Sequence, residues 1–376
     1  MAKGKGKPWD GNWQKLRQLP GGAQGETWVV KRRGDADEEY VLKVLRKQED
    51  TERRQRMYRE VHALRLLQHP SIPRVIESNT DQYVDTEVPL YFVANYIQGQ
   101  TLEVRVGKER LRADEAIRLV IKIAETLQFC HQNGFIHRDI KPDNIVLRGG
   151  NINEPVLIDF GQSFNEEDTE RSPLTPHGQQ LGNRFLHLPE LQVGDSSKRD
   201  VESDISQVCG LLFYALTGEV PVDLLDHQDL RPHQRASAKL VLDQIPSASL
   251  YPLFDKGFEH VLVKRFRSFA AFLGRLNEVL DDLEHSRIVT EQNAATVTLD
   301  AITPEIKTVT SQSTRQASSQ DEAAKAKETE FNTSQDEYFK IGDRADTLMF
   351  ASLLGAWNEK LEGDRDTIRT LIEGDD

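Results

Sequence analysis

The sequence predicts an α+β protein in two unequal parts, a small β-rich amino-terminal part and a larger, mainly helical part after it. Three observations predict this. Trp28-Val29-Val30 and Tyr40-Val41-Leu42-Lys43-Val44-Leu45 are β-branched and aromatic runs set between a glycine-rich turn and charged turns. Further on, Ile117, Val120, Ile121, Ile123, Ala124 and Leu127 recur at helical spacing, and Leu211-Leu212-Phe213-Tyr214-Ala215-Leu216-Thr217 is a buried helical run stopped by Gly218. Between them, after the breaker Gly134, lies the polar run His137-Arg138-Asp139-Ile140-Lys141-Pro142-Asp143-Asn144, a loop presented by the preceding helix.

Size and composition bound the function. The chain has 376 residues, enough for one large or two smaller cores plus appendages. Its 38% apolar and 29% charged residues include no uninterrupted apolar stretch near the roughly 20 needed to cross a bilayer, so a soluble protein without a membrane partner is expected. Lys3, Lys5 and Lys7 stand among glycines with no apolar run behind them, which reads as a flexible basic arm over residues 1–13 rather than a secretory signal. Cys130 and Cys209 fall inside apolar helical patterns without metal-ligand spacing, consistent with packing in a reducing cytoplasm. A net charge of −13 argues against nucleic acid and for a protein or peptide partner.

In order along the chain, the turn Leu19-Pro20-Gly21-Gly22-Ala23-Gln24-Gly25 joins two strands, and its glycines would let backbone N–H groups approach an anion; alone it is equally a plain hairpin. Lys43 lies in an apolar strand, where its charge needs a partner. Glu60 is the candidate, on a helical stretch from Arg53 to Leu67 with Val61, Leu64 and Leu67 on its apolar face. Leu90 to Gly99 reads as a buried strand entering a polar connection. In the polar loop, Asp139 can accept a hydroxyl proton, Lys141 can meet a phosphate and Asn144 can hold a metal. Asp159-Phe160-Gly161 follows and adds a second oxygen ligand.

These two runs, HRDxKxxN and DFG, resemble the eukaryotic-like (Hanks-type) protein kinase family, and Lys141-Pro142 after the aspartate resembles its Ser/Thr branch. The resemblance runs from about residue 14 to 283 and implies a two-lobed kinase fold, with an N-lobe of about 14–97 and a C-lobe of about 98–283. It implies ATP with Mg²⁺, or Mn²⁺ in its place, and a protein substrate. Gly22 and Gly25 would then cover the phosphates, although Pro20 and Thr27 depart from the family's glycine-loop pattern. Lys43 would touch the α- and β-phosphates and Glu60 would hold it, while backbone groups of Asn95 and Ile97 meet adenine beside a small residue, Ala94. Asp139 would be the base, an exposed carboxylate; Lys141 would steady the transferred phosphoryl; Asn144 and Asp159 would bind the metal.

The same resemblance assigns Arg138 to control by phosphorylation of the following loop, with Thr169, Ser172 and Thr175 as phosphosites in a polar stretch, Asp168 to Gln180, that reads as mobile. It pairs Glu190 with Arg265, has Asp204 brace the catalytic-loop backbone, and puts Gly182-Asn183 where Gly-Thr is usual. Residues 284–337 read as a polar linker, and 338–376 as a short helical tail that docks on the body, a second copy or a partner. The expected activity is Ser/Thr phosphorylation, autophosphorylation included; the alternative is a nucleotide-binding pseudokinase acting as a scaffold or switch.

Overall fold

A five-stranded antiparallel sheet and one helix make the amino-terminal lobe. The computed structural model describes residues 7–20, 25–34, 38–165, 184–191 and 200–313. Strands β1 (Trp13–Gln18), β2 (Gly25–Arg32) and β3 (Glu39–Leu45) form a meander, helix α1 (Thr51–Leu66) follows, and β4 (Val75–Ser78) and β5 (Tyr91–Asn95) complete a sheet of order β1-β2-β3-β5-β4. Asp50 starts α1 by accepting the Arg53 amide on its side chain.

The two faces of this sheet follow the period-two alternation of a pleated strand. Leu45, Phe92 and Ala94 face inward and join the main core with Met57, Val61 and Leu64 of α1. Tyr40, Leu42, Val44, Tyr91 and Val93 face outward, and they too are buried. What covers them is the segment read from sequence as a flexible basic arm: Trp9 is 3% exposed and Trp13 is 1% exposed. Trp9 meets Tyr91 edge-on at 5.4 Å and Trp13 meets Tyr40 at 5.1 Å. Glu77 accepts hydrogen bonds from Trp13 Nε1 (3.1 Å) and the Tyr91 hydroxyl (2.6 Å). From Lys7 onward the chain is therefore part of the lobe, because an apolar outer face must be kept from water; residues 1–6 lie outside the described residues.

β6 (Gly99–Thr101) and α2 (Leu102–Val106) lead into the second lobe. A Cβ at Gly99 would lie 1.9 Å from the Leu147 carbonyl oxygen, so this crossing requires glycine. Helix α3 (Ala113–Gln132) presents β7 (Phe135–Ile136); the catalytic-type loop passes to β8 (Ile145–Arg148), which pairs with β6 and β9 (Pro155–Leu157), and β10 (Phe164–Asn165) returns to β7. β11 (Leu186–His187) pairs in parallel with β12 (Val222–Asp223) across α4 (Val201–Thr217), and α5 (Ala236–Leu242), α6 (Leu250–Gly257) and α7 (Phe269–Ser313) complete the described chain.

α4 is the axis of this lobe. Every residue from Glu202 to Thr217 is buried, and Gly218 ends the helix at φ +76°. Its small residues set approach distances: a Cβ at Gly257 of α6 would lie 2.3 Å from Cys209 Sγ. Both cysteines are buried and unpaired.

The chain divides into two units at residue 290. The expected polar linker does not begin as one: helical backbone persists past residue 283 to Ser313, and its early part is tied down by Arg118–Glu284 at 2.7 Å and by Asp282, which accepts from the Ser247 hydroxyl and the Ser249 amide. Residues 338–376, the expected tail helices, lie outside the described residues. Among the described residues no helix is long and apolar enough to cross a membrane.

Because Trp13 closes the outer face, Trp13→Ala should destabilise the protein by about 3–5 kcal/mol, the range for emptying a large aromatic site. Urea unfolding followed by far-UV circular dichroism measures this, and a loss under about 1 kcal/mol would mean that the outer face holds together without its cover.

Candidate active site

Lys43 projects from the inner face of β3, where β2 and β5 flank it through Thr27 and Phe92. Its Nζ lies 2.7 Å from both Glu60 oxygens and 3.6 Å from Asp159 Oδ1. One ammonium thus serves two carboxylates. Burial works against the charge on Lys43, but Asp159 and Glu60 more than offset it and raise the lysine above its ordinary range. The two acids respond oppositely. Burial, with the Asp159 charge added, pushes the deeply buried Glu60 up to about 7 against the pull of Lys43. For Asp159, burial is outweighed chiefly by Lys43, with the Gly161 amide and Lys141, which hold it below its ordinary range.

The loop after β7 is fixed from beneath by α4. Asp204, fully buried, accepts the amides of His137 and Arg138, each at 2.8 Å, and lies 2.8 Å from His131 Nε2. Burial alone would raise Asp204; the His131 contact and the loop amides reverse this and hold it low and charged. One turn along, Gln207 accepts the Ile140 amide at 2.9 Å and donates to the Arg138 carbonyl at 3.2 Å. These four contacts hold Arg138 at φ +68°, a left-handed conformation uncommon for arginine. Sequence reasoning found Asp204 but missed Gln207, whose i+3 spacing on the same helix was the available signal.

Asp139 is not the exposed carboxylate expected from sequence: it is 4% exposed. Its Oδ2 lies 3.1 Å from Lys141 Nζ and 3.2 Å from Asn144 Nδ2, while its amide donates to His137 Nδ1 at 3.3 Å. Its Oδ1 is buried and has no protein partner among the described residues. Burial keeps His137 below its ordinary range and so neutral, and its ring packs edge-on against the fully buried Phe160 at 4.8 Å.

Asn144 and Asp159 stand at adjacent strand ends. Ile158 donates its amide to the Asn144 carbonyl at 2.9 Å, continuing the β8–β9 ladder. Asp159 takes φ +64° and accepts the Gly161 amide at 3.3 Å. The Asn144 amide nitrogen is spent on Asp139, so the oxygen of the same amide is the atom that could serve as a ligand. Two oxygen donors and, among the described residues, no cluster of three or more His, Cys, Asp or Glu suit a hard divalent cation that completes its shell from phosphate and water. The residues present fit Mg²⁺.

At the hinge, Asn95 exchanges backbone and side-chain hydrogen bonds with Arg74, at 3.1 and 2.6 Å, and Ala94 is buried on the inward face. Ile97 follows, half-buried. Gly25 has a packing reason of its own: a Cβ there would lie 2.6 Å from the Val44 carbonyl oxygen. Gly22 and its turn, the stretch from Asp168 to Gln180 with Thr169, Ser172 and Thr175, and Asn183 all lie outside the described residues. Beyond that stretch, Glu190 meets Arg265 at 2.6 Å, 75 positions away, and also accepts the Ser203 hydroxyl at 2.8 Å.

The protein kinase domain family matches residues 13–267, more than half of the chain. The chain belongs to this family. Among curated relatives, it is 27% identical over 248 residues to a serine/threonine-protein kinase of Myxococcus xanthus, covering 62% of this chain and 33% of the relative. It is 30% identical over 224 residues to the serine/threonine-protein kinase PrkC of Bacillus subtilis, covering 58% and 32%, and 33% identical over 167 residues to PknB of Mycobacterium leprae, covering 44% and 26%. The chain spans about a third or less of the length of these relatives. The protein kinase fold accounts for the division into a sheet lobe carrying Lys43 and a helical lobe carrying Asp139.

Glu60 gives the site a pH signature. Its folded value near 7 stands above the ordinary carboxylate value of about 4.3, so the folded state binds the extra proton. Its contribution to stability is complete below the ordinary value and is lost as pH rises through about 7. Against Glu60→Gln, which cannot titrate, the wild type should lose relative stability between pH 5 and pH 8; urea midpoints at four pH values measure it, and a flat difference would refute the assignment.

Proposed function

We propose that this chain is an ATP- and Mg²⁺-dependent serine/threonine protein kinase. The observation that carries the reading is the state of Asp139: one oxygen held by Lys141 and Asn144, the other buried and without a partner among the described residues. An acceptor hydroxyl donates to that oxygen; Asp139 orients it and receives its proton as the phosphoryl passes from ATP to the hydroxyl oxygen. Lys141, already against the same carboxylate, meets the negative charge on the transferred group. Lys43, held by Glu60, binds the α- and β-phosphates, and backbone groups of Asn95 and Ile97 meet adenine. Asn144 and Asp159 would hold Mg²⁺, which supplies charge neutralisation at the phosphate oxygens.

Relatives named as serine/threonine-protein kinases support hydroxyl side chains of proteins as acceptors. Arg138, beside the base, is the proposed receiver of a phosphate on Thr169, Ser172 or Thr175, placed there by the enzyme itself. We assign the protein to the cytoplasm, acting on protein rather than nucleic acid or membrane, with residues 338–376 recruiting a partner or a second copy. The Lys43–Glu60 pair and the Lys141 contact of Asp139, both formed among the described residues, support the enzyme over the pseudokinase alternative, whose grounds are Pro20 and Asn183.

The purified wild type should transfer labelled phosphate from Mg-ATP to itself or to a generic acceptor protein, and Asp139→Asn should lose about 10²–10⁴-fold of that rate with unchanged ATP affinity. ATP binding without transfer by the wild type would establish the pseudokinase. Removing 338–376 should lower activity on the natural target while leaving the generic acceptor unaffected; equal activity on both would end the recruiting role.

A further inference from the structure

Arg54 is the largest charged side chain on the buried face of α1, at 0% exposure, and nothing in the phosphoryl-transfer chemistry uses it. Six oxygens surround its guanidinium. Nε donates to the Tyr83 carbonyl at 2.7 Å. One terminal nitrogen donates to the Gln48 carbonyl (3.0 Å), the Gln48 side chain (3.2 Å) and the Val88 carbonyl (3.0 Å). The other donates to the carbonyls of Gln82 (2.9 Å) and Asp85. The charge is thus dispersed over carbonyl oxygens of two segments, the turn before α1 and the connection between β4 and β5.

That connection is a built body rather than a loose loop. Asn79 closes its neck, donating to the Pro89 carbonyl at 2.9 Å and accepting the Tyr91 amide at 2.9 Å. Gln48 ties the neck to β3 as well, accepting the Leu90 amide at 2.9 Å and donating to the Leu45 carbonyl at 2.7 Å. Tyr83, whose carbonyl receives Nε, packs its ring on Tyr58 of α1 at 4.6 Å. Arg54 therefore joins α1 to the end of β3 and to the entry of β5, the strands that carry and flank Lys43.

Glu60 sits on the same helix six residues later. A helix moves as a rod, so swinging Glu60 away from Lys43 requires α1 to shift against these carbonyls, stripping partners from a buried charge. We propose that Arg54 is a positioning residue that holds Glu60 on Lys43 by bolting α1 to the β4–β5 connection, so that the protein alone keeps this ion pair formed. The inference rests on the kinase reading for its effect on rate, and on geometry alone for its effect on Glu60. The planar fork matters: a lysine keeps the charge, yet its single nitrogen cannot span carbonyls on both sides.

The test compares the full chain with Arg54→Lys and Arg54→Met, alone and combined with Glu60→Gln. Both Arg54 variants should lower kcat with ATP and a generic acceptor by about tenfold or more, as expected when a competent conformer becomes the minor one. In the Glu60→Gln background the same changes should cost less than about twofold, because the contact they secure is already weakened. A purely stabilising arginine predicts the full loss in both backgrounds, and that result overturns the proposal, as does wild-type kcat in the lysine variant. The second readout needs no activity: in ¹³C-glutamate-labelled protein the Glu60 carboxyl should titrate near 7 in the wild type and fall toward the ordinary value of about 4.3 in Arg54→Lys, as it leaves its burial and the Asp159 charge, which together outweigh the loss of Lys43. An unshifted Glu60 signal in a folded variant refutes the brace. Absence of transfer by the wild type would sink the kinase reading instead, and the Glu60 signal would still decide the role of Arg54.

Discussion

A carboxylate with no access to water, Asp204, underlies the arrangement of the catalytic loop. A buried charge survives where its lone pairs are filled by strong donors, and here two consecutive loop amides and the His131 ring supply them. The dependence is mutual: the loop satisfies Asp204, and Asp204 holds the loop's backbone turned so that Arg138 adopts a positive φ. α4 can provide this because it is buried along its length, so its few polar side chains have no competing water. Gln207 adds an amide that both accepts from and donates to the same loop, which fixes its height above the helix.

The upper half of the site follows a different logic. Lys43 is shared between Glu60 on a helix and Asp159 after a strand, so its position reports on three elements at once. Charge sharing of this kind is stable when the three groups are held at fixed distances, since two carboxylates would otherwise repel. The sheet holds Lys43 through its pleat, the β8–β9 ladder holds Asp159, and α1 holds Glu60. Arg54 belongs to this mechanical frame, and Trp9 and Trp13 complete it on the far side of the sheet.

Some of this was legible in the residues. The dense spacing from His137 to Asn144, then Asp159, pointed to the proposed chemistry, because phosphoryl transfer needs a proton acceptor, a cation and two oxygen ligands close together in the chain. Lys43 in an apolar strand announced a partner by its cost alone, and Glu60 on the following helix was the available answer. The burial of Asp139 leaves no mark in the sequence, since burial of a loop residue depends on what packs around it, here Asn144, Lys141 and His137 of the folded loop itself. The polar run after Leu283 was read as a spacer because composition argues against a core, but a helix needs only local hydrogen bonds to continue, and Asp282 and Glu284 anchor its beginning.

The sequence by itself determined the family, the two lobes and the main strands and helices around the proposed site, because these depend on local periodicity and on residue types at short spacing. Tertiary structure alone decided that an arginine of α1 would be spent on carbonyls up to 34 positions away, that Gln207 would grip a loop nearly 70 positions earlier, and that the amino-terminal tryptophans would seal the outer face of a sheet. The physical reason is the same in each case. A buried polar group must find its partner wherever the fold brings one, and an apolar face must find its cover; neither requirement leaves a fixed spacing in the chain.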